Sequence, residues 1–135
     1  MDQAEESRRW ESAQELYQAA DAALRHGRYR ASAALACYAC YQAMWVALGD
    51  PPLGEWRHLG IARRFCSGQW VDPPPDPRSL TALYKRLLAL YELRLDAYYR
   101  AMPIDQQQAQ QGVATAAEVM RLSQQQEGER GEQRS

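Results

Sequence analysis

A chain of 135 residues with 46% hydrophobic content is the size of one ordinary domain, large enough to bury a single core without disulfides or metal. A net charge of −1 and a pI near 6.1 exclude a uniformly basic nucleic-acid binder but leave room for a local basic patch. Lys85 is the only lysine, so nearly all positive charge sits on arginine, the side chain suited to bidentate phosphate or carboxylate pairing; a high-GC genome yields the same bias.

With 1 Phe against 8 Tyr and 4 Trp, most aromatic bulk carries a polar tip and belongs at core edges or interfaces. No run of about 18 apolar residues occurs, and the opening MDQAEESRRW is too polar for a signal peptide, so a cytoplasmic protein without membrane attachment is predicted. The cysteines number 3, and Cys37 and Cys40 lie in an Ala-rich apolar segment, which predicts reduced, buried thiols. A lone Cys-x-x-Cys without a second ligand pair is a weak zinc signal, and neither metal nor cofactor is expected.

In chain order, Trp10, Ala13, Tyr17, Ala20 and Leu24 recur at steps of three and four and predict a first helix over 5–26, stopped by Gly27. A second helix over 31–48 carries Ala34, Cys37, Tyr41, Met44 and Leu48 at the same spacing. It has small residues all round and is therefore expected at the centre of the bundle. Gly49, Asp50, Pro51 and Pro52 end it. A shorter third helix over 53–68 places His58, Ile61, Ala62 and Phe65 on one face.

The run VDPPPDP at 71–77 reads as an extended crossover, with Asp76 as N-cap and Pro77 as first residue of a fourth helix reaching about Ala101. That helix carries two stripes, one of Leu80, Leu83, Leu87 and Leu90, the other of Tyr84, Leu88, Tyr91, Leu95 and Tyr98. Two apolar faces call for two neighbours, one of them another subunit, and so predict a homodimer. A fifth helix opens at Pro103 with a weaker face of Ala109, Val113, Ala116 and Met120. From Ser123 onward no apolar residue remains, so 5–122 is expected to form one domain and 123–135 a disordered polar tail. The predicted fold is all-α, an up-and-down bundle of four main helices with a short or accessory fifth.

Three segments carry a resemblance: HGRYRASAALACYACYQAMWVAL, then EWRHLGIARRFCSGQW with a His opening a short helix, then LYELRLDAYY on a long one. In order and spacing they resemble the HEPN domain, whose second helix is rich in Tyr and Ala (here Tyr29, Ala33, Tyr38, Ala39 and Ala43). Its third helix is led by His, here His58, and its long helix carries an Arg before an Ala/Asp/Tyr cluster, here Arg94, Asp96, Ala97 and Tyr98. The resemblance spans about Trp10 to Met120. It implies a dimeric helical bundle of a small bacterial or archaeal kind that often pairs with a minimal nucleotidyltransferase in a toxin–antitoxin setting and binds nucleotide or RNA.

Many members of that family are metal-independent ribonucleases whose Arg is followed, four to six residues on, by a His. In this chain Arg94 precedes apolar Leu95, and Tyr99, Arg100 and Ala101 stand near where the His belongs. Cleavage by the 2′-hydroxyl needs a proton carrier working near neutral pH, which a tyrosine with an ordinary pKa near 10 supplies poorly. A non-catalytic binding or interaction module is therefore expected, with a ribonuclease of degenerate motif as the alternative.

The candidate ligand-binding residues are Arg94, Tyr98, Tyr99, His58, Arg57 and Arg28, with no catalytic residue assigned. Arg94 is an inward-facing arginine satisfied by tyrosine hydroxyls, backbone carbonyls or a carboxylate, or a phosphate-binding arginine at a groove, or a catalytic one. His58 is a core histidine bonded to backbone or a ligand contact. The RHGRYR turn and the arginines near 57–64 are a solvated charged surface or a phosphate site.

Overall fold

The computed structural model describes residues 1–134, with side chains through Gln124. It is all-α, with no strand among the described residues: α1 (Gln3–Arg25), α2 (Tyr29–Leu48), α3 (His58–Cys66), α4 (Pro77–Leu95), a π-helical turn (Asp96–Arg100) and α5 (Gln106–Arg134). The short member is α3; α5 is a full member of the bundle.

Gly27, at φ +75°, turns the chain between α1 and α2, and the Arg28 amide reaches back to the Ala23 carbonyl at 2.8 Å, closing the end of α1. Helix α2 touches all four other helices. Its small side chains, Ala33, Ala36, Ala39 and Ala43 among them, are fully buried, which lets its neighbours approach closely. The Ser32 hydroxyl donates to the Ala20 carbonyl and ties α2 to α1 in the core. By length and composition α2 passes for a membrane span, but 67% of that stretch is buried inside the bundle by the other helices.

The third helix is shorter than the expected 53–68, because the loop through Pro51 and Pro52 runs on to Arg57. Asp76 caps α4, accepting from the Arg78 amide, and Pro77 opens it. The helix then changes geometry at Asp96 instead of continuing to Ala101. Helix α5 starts three residues after Pro103, at a reciprocal cap: Asp105 accepts from the Gln108 amide at 2.8 Å while the Gln108 side chain accepts from the Asp105 amide at 3.0 Å. Leu122 and Ser123 are both buried on α5, so the boundary expected at 123 falls inside that helix. Side chains from 125 onward, and Ser135, where most of the expected disordered tail falls, lie outside the described residues.

The core runs through Ala13, Phe65, Ile61, Leu83, Leu90 and Val119 between these helices. The first stripe of α4 is wholly buried, at Leu80, Leu83, Leu87 and Leu90, and its next position on the same three-and-four spacing is Arg94. A guanidinium therefore occupies the last core position of α4, two residues ahead of the π-helical turn.

Candidate functional site

Arg94 is only 9% exposed. Across from it on α2, the Tyr38 hydroxyl accepts from Nη1 at 3.2 Å, while Nε is buried with no hydrogen-bond partner. The rings of Tyr91 and Tyr38 flank the guanidinium carbon, with centroids at 5.0 and 5.6 Å, within cation–π range. The acids nearest in sequence are engaged elsewhere, Glu92 and Asp96 both with Arg100. Burial works against the Arg94 charge, but the Tyr38 hydroxyl and neighbouring groups outweigh it, so the guanidinium is held more firmly protonated than usual.

His58 opens α3 against the same rings: Tyr41 at 4.6 Å, Tyr91 at 5.4 Å and Tyr38 edge-on at 6.1 Å. The backbone-bonded histidine that the sequence allows is not what forms; the imidazole is held by aromatic packing among half-buried rings. Burial, and then the positive charge of Arg94, push its pKa down to about 4, so the ring is neutral near pH 7. Beneath it lies a small apolar hollow lined by Cys37, Cys40, Leu87 and Leu90. Burial pushes the Cys37 thiol up to about 11 despite the nearby Arg94 charge, and Cys66 up to about 12. These thiols are protonated and weakly nucleophilic.

The π-helical turn completes the site. It places Tyr98 edge-on to Tyr38, with ring centroids 6.4 Å apart, and leaves Tyr98 60% exposed. Ala101 ends the turn in the left-handed region at φ 51°, and Arg30 holds it there by donating to the Ala101 and Met102 carbonyls. Single π turns are rare and recur at functional sites.

Three of the sequence-predicted residues, Arg94, His58 and Tyr98, thus meet around Tyr38. Arg57 is the exposed N-cap of α3, next in sequence to His58. Tyr99 is exposed on the π turn and joins none of the ring contacts of the cluster. Arg28 lies apart: it begins α2 roughly 15 Å along the axis from Tyr38, in an open groove with Arg30, Pro103 and Ile104. Tyr38, Tyr41 and Tyr91 were not among the predicted site residues. Part of their signal was available, since Tyr38 and Tyr41 are large polar-tipped rings three apart in the Ala- and Cys-rich middle of α2. Among the described residues no group of three or more His, Cys, Asp and Glu is arranged to hold a metal ion.

No protein-family model, curated protein or solved structure matches this chain.

Proposed function

We propose that the protein is a HEPN-like, non-catalytic binding module of the cytoplasm that works as a homodimer. It acts with a nucleotidyltransferase-like partner of toxin–antitoxin type or on a nucleotide or RNA, and the phosphoryl group of such a ligand is taken at Arg94. The observation that carries the ligand reading is the buried Arg94 guanidinium, which among the described residues is met by tyrosine hydroxyls alone, keeps an unpartnered Nε and pairs with no acid. Burying a charge in this way costs free energy that an anionic ligand would recover. The exposed Tyr98 ring beside it offers a stacking face for a base. Homodimerisation is supported by the second stripe of α4, where Leu88 and Leu95 are only half-buried and Tyr98 is exposed.

Calorimetric titration of the full chain with AMP and with a short single-stranded oligouridylate tests the reading. Binding of either that weakens by about tenfold or more in Arg94→Ala, the loss expected for one charge-assisted contact, supports it. An Arg94→Ala protein that binds as the wild type does would refute it.

One observation favours a second reading, metal-independent ribonuclease activity: His58 shares the Tyr38 and Tyr91 rings with Arg94. Held neutral, His58 could accept a proton but not supply one near pH 7. Cleavage of RNA in the presence of a chelator, lost in His58→Ala, would establish that chemistry.

A further inference from the structure

Arg94 alone does not account for the use made of Tyr38. A phenol oxygen that accepts a hydrogen bond still has its own proton to give, and among the described residues no acceptor takes it. The oxygen receives its bond from a cation, which polarises the remaining O–H and makes it a stronger donor in the next link of the chain. The Tyr38 ring is fixed on two sides, edge-on to His58 and to Tyr98, so the hydroxyl direction is set before any ligand arrives. Arg94 Nε is shielded from solvent, whereas Tyr38 is only half-buried and stands against the exposed Tyr98. Of the two groups, the phenol is the one on the more open side of the pair. A tyrosine serving only to satisfy a buried guanidinium also leaves the job unfinished, because Nε stays unpaired.

We propose that the Tyr38 hydroxyl is the second donor of the Arg94 site: it accepts from Arg94 and gives its own proton in a hydrogen bond to an oxygen of the ligand's phosphoryl group. Guanidinium and phenol then hold the group together, the first supplying charge and the second direction. This rests on the reading of Arg94 as a phosphoryl-binding residue.

The test uses the full chain, with AMP and inorganic phosphate as probes, and compares the wild type with Tyr38→Phe and Arg94→Ala. Phenylalanine keeps the ring contacts, so Tyr38→Phe is expected to melt within a few degrees of the wild type, to bind AMP about tenfold more weakly, and at saturation to shift the phosphorus-31 resonance of bound AMP. A role confined to packing would leave that resonance where it is. A second measurement reads the wild type directly: in protein labelled at tyrosine Cζ, the Tyr38 resonance, identified among the 8 by its absence in Tyr38→Phe, should move when the protein is saturated with inorganic phosphate, which has no base to stack on Tyr98. If Tyr38→Phe matches the wild type in affinity and resonance while Arg94→Ala loses binding, the role given to Tyr38 is wrong and the phosphoryl site stands. An unmoved Tyr38 Cζ resonance in the phosphate-saturated wild type has the same meaning. If the wild type takes up neither AMP nor phosphate, both readings fall.

Discussion

Arg94 and Tyr38 face one another between α4 and α2, joined by a single hydrogen bond of 3.2 Å, and the guanidinium keeps its Nε unpaired in the interior. An arginine recruited for stability is normally surrounded by enough acceptors to offset its desolvation. Among the described residues Arg94 is met only by the Tyr38 hydroxyl, a weaker contribution from Tyr91 and the two ring faces, with no carboxylate beside it.

That deficit gives a prediction for stability. Arg94→Met keeps length and apolar contact while removing the charge, and is expected to melt at or above the wild type, by about 1 kcal/mol. Arg94→Ala leaves a void beside Leu90 and Tyr38 and should lose about 1–3 kcal/mol. Chemical denaturation of both variants checks the pair. A loss of several kcal/mol in the Met variant would make Arg94 a structural keystone and weaken the phosphoryl reading.

The His58 pKa, lowered to about 4 from 6.5, sets a pH dependence. The unfolded chain takes up a proton near pH 6.5 and the folded one only near 4, so between these values the unfolded state binds more protons. The His58 contribution is therefore fully present above about pH 6.5 and is lost as pH falls towards 4. Allowing for the solvent contact of a half-buried ring, the loss is about 1–2 kcal/mol. Carboxylates contribute their own acid loss, so the informative quantity is the difference: His58→Gln should show a shallower fall in stability between pH 7 and 4.5. Equal slopes in the two proteins would contradict the buried, neutral imidazole.

Much of this fold was legible because its signals are local. The spacing of Leu80, Leu83, Leu87 and Leu90 marks the buried face of α4, Asp76–Pro77 marks its start, and the small residues of α2 mark the centre. The π turn at Asp96–Arg100 was not legible. A single unbroken period runs through Leu95 and Tyr98 in the sequence, and the exit of the turn is tied by tertiary bonds from Arg30, about seventy residues away, to the Ala101 and Met102 carbonyls. The candidate site was half legible for the same reason. Arg94 stood out as a charge on an apolar stripe, but its pairing with Tyr38 and His58 depends on how α2, α3 and α4 converge, which no local pattern encodes.

Gly68 follows α3 at φ +72°, and a Cβ there would sit 2.8 Å from Leu80 Cδ1 and 3.4 Å from Pro74 Cβ. Gly68→Ala meets both the left-handed backbone cost and a crowded neighbour, and should destabilise by about 1–3 kcal/mol. Thermal melting checks it. An unchanged midpoint would mean that the loop from Gln69 to Pro75 moves freely enough to make room.

The last prediction concerns the second face of α4. One stripe of this helix is spent on the core, and Tyr91 on the other is packed against His58. Tyr84 also packs against the core, but the remainder is not fully absorbed: Leu88 and Leu95 are half-buried, and beyond them Tyr98, Tyr99 and Met102 are 60%, 75% and 51% exposed. Exposed apolar bulk of this kind on an isolated protein invites association. Its position at the edge of the Arg94 site would bring a second copy close to the ligand. Sedimentation at micromolar concentration is expected to give twice the 15.4 kDa chain mass. Tyr99→Glu, which sets a charge on the most exposed of these rings without touching the Arg94 contacts, should shift the distribution to monomer while leaving the melting of dilute protein nearly unchanged. A wild type that sediments as a monomer would remove the dimer from the proposal and leave the Arg94 site to be judged within a single chain.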